Sequence, residues 1–138
     1  MLKLHASNDR IALVNSAVTA KNGFAEFWDS GGDAISTTDA AHREKWKSGY
    51  NANYAKLHVY GITFADLFAQ FGTVFDFINL DVEGVSADMF MRLPLQSLEK
   101  CRVLCVEHDG KINEIQDYAS RFGFSYVFHN GENLILSR

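Results

Sequence analysis

The sequence predicts an α/β domain built on a mainly parallel sheet that closes with an antiparallel hairpin. Three observations predict it. From Leu57 onward, apolar runs of strand length alternate with segments of helical periodicity, the pattern of parallel strands with helices packed against them. Asn130-Gly131 separates two alternating stretches, Phe124 to Phe128 and Asn133 to Leu136, which is the signature of a hairpin. The 138 residues are 47% apolar and 22% charged, enough for one core and too few for a second domain, so the chain reads as a single domain over residues 1–138.

Each element follows from local chemistry. Ile11 to Val18 is a short apolar run without helical spacing and reads as a buried strand. Lys21-Asn22-Gly23 is a turn signal that favours a tight hairpin into Phe24 to Trp28, where large apolar residues alternate with Ala25 and Glu26. Asp29 to Asp39 is a Gly-, Ser- and Thr-rich loop, with Ser30-Gly-Gly-Asp33 placed to lie over a site rather than to cradle phosphate. Ala40 to Tyr54 is polar and only weakly helical.

Leu57 to Ile62 reads as a strand. Thr63 then stands as a helix N-cap with Asp66 in the capping-box position, and Gly72 ends a helix carrying Phe64, Leu67, Phe68 and Phe71. Val74 to Leu80 reads as a buried strand closed by Asp81-Val-Glu-Gly84. A helix over Ser86 to Leu93 stops before Pro94. Arg102 to Glu107 is the next strand, followed by a helix with Ile112, Ile115, Ala119 and Phe122 on one face and Gly123 at its end.

Composition excludes some functions. The formal net charge of -4 argues against a nucleic-acid partner, which needs a basic surface. The longest apolar run is too short to span a bilayer, and residues 1–10 lack the apolar stretch of a secretory leader. Cys101 and Cys105 are the only cysteines. Four residues apart along a strand they lie about 13 Å from each other, too far for a disulfide. Two buried thiols fit a reducing compartment, so the expected location is the cytoplasm.

In sheets of this kind ligands sit beyond the carboxyl ends of the strands, which directs attention to Asp81–Gly84 and Glu107–Gly110. Asp81 and Glu83 are strand-end carboxylates that can act as a base, grip a hydroxyl or bind a cation. Equally, they can cap the helix that follows. His108 lies near Asp81 if the two strands are neighbours, and can act as a base near neutral pH. His5, His42, His58 and His129 are scattered and show no metal-ligand spacing, so no metal site is expected.

Asp76 to Glu83 resembles the acidic strand motif of family-18 chitinases, with Asn79 where that family has an aspartate. The chain is too short for their barrel. A wider match is to another family. Phe75-Asp-Phe-Ile-Asn-Leu-Asp-Val-Glu-Gly84 resembles the "DFLKIDVEG" signature of FkbM-type methyltransferases. Val14-Asn-Ser-Ala-Val18 with Gly23 is similar to that family's "NxAVxxxxG" stretch, and Ile62 to Leu67 to its "TLDDL" segment. Val103 to His108 is similar to its "xxxxEH" strand, and the closing hairpin to its "NLxF" end.

The resemblance implies a Rossmann-like methyltransferase sheet that binds S-adenosylmethionine and methylates the hydroxyl of a small molecule or sugar. It makes Asn15, Ser16, Ala17 and Asp81 cofactor-binding, with Ser16 and Ala17 near the adenine and Asp81 facing the methionine end and the substrate. Glu83 or His108 takes the acceptor's proton. The family's first two strands, with the glycine loop and ribose carboxylate, have no counterpart among the thirteen residues before Val14, and Met1 to His5 looks like part of the helix that follows them. The expectation is therefore a sheet lacking its first two strands, with weak or absent cofactor binding and an open edge along Val74 to Leu80 that a homodimer covers. The alternatives are a non-catalytic binding or assembly domain and a metal-dependent, sugar-handling enzyme using Asp81 and Glu83.

Overall fold

The computed structural model describes residues 9–32 and 34–138. The reading of Met1 to His5 as helix lies outside the described residues, as does Asp33 of the glycine-rich loop. The described residues form two small sheets with four α-helices. The first sheet holds β1 (Ala17–Val18), β2 (Gly23–Asp29) and β3 (Ala55–Ile62), in the order β1-β3-β2. The second holds β4 (Phe77–Leu80), β5 (Val103–Glu107), β6 (Ser125–His129) and β7 (Asn133–Ser137), in the order β4-β5-β7-β6.

The fold is α/β, but its pairing is not mainly parallel. β1 with β3 and β4 with β5 are parallel; β2–β3, β5–β7 and β6–β7 are antiparallel. The cause lies in the connections. Helix α1 (Ala40–Tyr50), between β2 and β3, buries no residue and so does not pack on a sheet as a crossover helix would. The chain returns as β3 antiparallel on β2 instead. At the other end the predicted hairpin forms, and β7 returns onto β5.

The Ile11 to Val18 run is not a buried strand. Only Ala17 and Val18 pair, and Ile11, Leu13 and Val14 are exposed. Nor does Asn22-Gly23 close a tight hairpin, because β3 lies between β1 and β2. The Asn22 side chain instead accepts from the Thr63 amide (3.0 Å) and donates to Asp66 (2.6 Å). It thereby joins the capping box of helix α2 (Phe64–Phe71), in which Thr63 Oγ1 accepts from the Asp66 amide as predicted.

The core lies on one face of the second sheet. Residues of β5 and β7 alternate between buried and half-buried, with Leu104, Val106, Leu134 and Leu136 pointing inward. They meet Phe90 of helix α3 (Ser86–Phe90), Leu93, Leu95 and Leu98 after it, and Ile115 and Ala119 of helix α4 (Ile112–Ser120). Each such side chain contributes about 1.5–3 kcal/mol by burial. Helix α3 ends at Phe90, three residues before the expected Leu93.

Val74 to Leu80 was expected to be a buried strand. Only Phe77–Leu80 pairs, and it does so on one side: β4 is the sheet's terminal strand, with Val74 and Phe77 exposed. The open edge is where the sequence placed it. Cys101 and Cys105 are both free thiols, and burial pushes both above the ordinary thiol range. Among the described residues no helix is long and apolar enough to cross a membrane.

Candidate functional site

The register of β4 on β5 builds the site. Leu80 pairs with Val106, so the chain leaves both strands at one level and Asp81 emerges beside Glu107. The β6–β7 turn joins from the other side, and α1 with the loop before it closes over the top. Between them lies a cavity of about 540 Å³, within the usual size range for small-molecule sites. Asp81, Glu83, Glu107, His108 and Asp109 line it, as do His42, Lys45 and Trp46 of α1, Ala34 and Ile35 of the preceding loop, and Glu132 of the turn. Of the Asp29 to Asp39 loop, Ala34 and Ile35 thus border the cavity.

The capping alternative for Asp81 and Glu83 is answered by the hydrogen bonds around α3. Ser86 Oγ accepts from the Val82 amide (2.9 Å), and Asp109 Oδ2 accepts from the Ala87 amide (2.9 Å). The Ala87 amide at the helix start is therefore taken by a carboxylate from the neighbouring loop, while Ser86 ties down the Val82 amide before the helix. Asp81 and Glu83 are left to the cavity.

Glu83 is the most constrained of them. Its backbone is left-handed at φ +47°, followed by Gly84 at φ +90°. Thr37, itself buried, donates through Oγ1 to the Glu83 carbonyl (2.6 Å). The Glu83 carboxyl lies 3.3 Å from His42 Nε2. A Cβ on Gly84 would stand 2.6 Å from the His42 side chain, so only glycine lets the imidazole seat against this loop.

Burial works against charge on both partners of the Glu83–His42 contact. Burial raises the Glu83 carboxyl to about 7, with Glu107, Asp81, Asp109 and Glu132 adding repulsion. Burial lowers His42, as does Lys45, against the opposing pull of Asp109 and Asp39. The Trp46 indole also donates to His42 Nε2 (2.7 Å), which occupies the nitrogen's lone pair. Glu107 is raised too, first by burial, although Ser86 Oγ donates to it (2.6 Å); Asp109 and Asp81 repel it, and it shares a hydrogen bond with Asp81.

His108 does line the cavity near Asp81, but its ring is engaged at both ends. Nδ1 accepts from the Gly110 amide (3.0 Å), which leaves the proton on Nε2, 3.2 Å from the Asn130 carbonyl. It ties the β5 loop to the hairpin turn, so neither nitrogen is presented to a substrate. The other residues expected to bind a cofactor are elsewhere. Asn15, Ser16 and Ala17 lead into β1 on the other sheet and do not line the cavity that Asp81 lines. Among the described residues, no group of three or more His, Cys, Asp and Glu side chains is arranged to hold a metal ion.

His42 and Trp46 were not singled out from the sequence. A signal was present: His42, Trp46 and Tyr50 recur every four residues along one helix face, and their rings stack in succession at 6.1 and 4.8 Å. Comparison with family models, with curated proteins and with solved structures returned no match.

Proposed function

We propose that the cavity beyond β4 and β5 binds a small hydroxylated molecule and that Glu83 accepts its hydroxyl proton, the acceptor side of an FkbM-like O-methyl transfer. The observation that carries this reading is the placement of Glu83. Its carboxyl faces the cavity beside His42 and is not used to cap α3. A carboxyl with a pKa of about 7 is suited to general-base work at neutral pH.

The step needs only this chain's residues. The acceptor's O–H proton passes to Glu83 Oε, the O–H electron pair stays on the acceptor oxygen, and Glu83 becomes neutral. Thr37 and Gly84 hold the Glu83 backbone, and the His42 ring packs against its carboxyl. Asp81, at the open end of β4, grips a second hydroxyl. No step is assigned to S-adenosylmethionine, because Asn15, Ser16 and Ala17 do not gather with Asp81. The chain alone binds that cofactor weakly or not at all. The same separation favours the second reading, a non-catalytic binding domain. The homodimer fits either reading, because a second copy covers the β4 edge.

The test has two arms. Hydroxylated compounds, monosaccharides first, are screened by saturation-transfer NMR while the ¹³C-labelled Glu83 carboxyl is titrated. The expected result is a bound compound and a Glu83 midpoint near 7 that moves on binding. A Glu83 midpoint near the ordinary 4.5 would remove the base. Calorimetry with S-adenosylmethionine should show a Kd weaker than about 1 mM; micromolar binding would restore a complete cofactor site. If an active preparation is obtained, Glu83→Gln should lower turnover about 10²–10⁴-fold. Unchanged turnover would leave only the binding reading.

A further inference from the structure

Helix α1 has a second face, and its chemistry is opposite to that of the first. His42, Lys45 and Trp46 look into the acidic cavity, whereas Arg43 and Lys47, one turn apart, line a separate cavity of about 200 Å³. Its other walls include Trp28 of β2 and Lys56 of β3, two residues that the sheet pairs directly, together with Asn53 and Tyr54.

Three cations line it, and two of them pair with carboxylates outside it. Lys56 is paired with Glu26, and Arg43 reaches Glu44 at 3.3 Å through one terminal nitrogen. Lys47 has no ion pair among the described residues. The Arg43 guanidinium lies over the Trp28 ring, 4.7 Å from its centre, and Lys56 stands 5.9 Å from the same ring. This packing fixes the fork. It also leaves Arg43 Nε buried with no hydrogen-bond partner, the one side-chain atom among the described residues in that state. A buried N–H on a cation is costly to leave unpaired and calls for an acceptor.

We propose that this cavity is an anion site that takes a tetrahedral oxyanion, a phosphate or phosphate monoester, with one oxygen on Arg43 Nε and others on Lys47 and Lys56. Guanidinium forks match the spacing of phosphate oxygens, and lysines supply charge without fixed direction. The volume is below that of a usual drug-sized pocket and sufficient for one such group. The site is separate from the acidic cavity and does not depend on the function proposed for it.

The Arg43 Nε–H is directly observable by ¹H–¹⁵N NMR, and its signal is assigned by its loss in Arg43→Lys. Inorganic phosphate, phenyl phosphate and chloride are titrated in parallel at matched ionic strength. Phosphate should shift this signal saturably, with half-saturation at or below about 1 mM. Lys47→Gln, a change at an exposed position, should weaken binding about tenfold. Tighter binding of phenyl phosphate supports a phosphate ester as the ligand, and equal binding supports the free ion. An equal response to chloride would overturn the site, as would no saturation by about 10 mM phosphate or full binding in Lys47→Gln.

Discussion

The two loops that leave β4 and β5 share one backbone device and use it differently. In the first, Glu83 at φ +47° precedes Gly84 at φ +90°; in the second, Asp109 at φ +48° precedes Gly110 at φ +76°. Each turns the chain sharply at a strand end through consecutive left-handed residues. The second loop commits its side chains to the scaffold: Asp109 caps α3, His108 binds Gly110 and the hairpin turn, and Glu107 is held by Ser86. The first leaves Asp81 and Glu83 to the cavity. The scaffold duties of one loop are what free the carboxylates of the other, so similar residue types at equivalent strand ends carry different roles.

The largest difference should appear at the glycines. Gly84→Ala combines a left-handed backbone with a Cβ driven into His42, and is expected to cost about 2–4 kcal/mol. Gly110→Ala meets open space and should cost only the backbone strain, about 1–2 kcal/mol. Urea unfolding of both variants measures the gap, and equal losses would mean that His42 does not press on the first loop.

A smaller difference is expected at the aspartates. Asp109→Ala removes the acceptor at the start of α3 and should cost about 0.5–2 kcal/mol. Asp81→Ala removes an exposed carboxylate that repels Glu83 and Glu107 and also shares a hydrogen bond with Glu107, so the two effects oppose and stability should stay within about 0.5 kcal/mol of the parent. The comparison would fail if the order were reversed.

A third difference is in the pH profile of stability. Glu83 binds its proton more tightly in the folded chain, at about 7, than in the unfolded chain, at the ordinary 4.5. Its contribution is therefore fully present below about 4.5, declines as pH rises, and is lost above about 7. His42, lowered by burial, contributes the opposite slope, losing stability as pH falls below 6.5. Subtracting the Glu83→Gln profile from the parent's isolates the Glu83 component, and a flat difference between pH 4 and 8 would show that the carboxyl is not buried as described.

What the sequence made legible was local. Thr63 and Asp66 announce a helix start, Asn130-Gly131 a turn, and the apolar run through Val106 a strand, because each signal lies within a few residues of its effect. The strand-end rule then located the cavity. What stayed hidden depended on partners far along the chain. The Ile11 run carries the residues of a strand, but whether it pairs is decided by β3, which offers β1 only Gly61 and Ile62. His108 looks like a base until Asn130 and Gly110 are found on its nitrogens. His42 looks idle until the Asp81–Gly84 loop, some forty residues later, is folded against it.

The two borders of the four-stranded sheet differ as well. β6 and β7 slip register between Tyr126 and Phe128, so Val127 is an unpaired extra residue and the outer border is bent. β4 pairs with β5 without such a slip, and Phe77–Leu80 contains neither a charged residue nor a proline. Among the described residues, β4 is therefore the straighter and less protected border of this sheet. Strand addition between copies through β4 on both sides would be a self-matching contact, complete at two chains. Open-ended stacking would need β6 to receive the β4 of a next copy, and the bulge at Val127 works against that pairing.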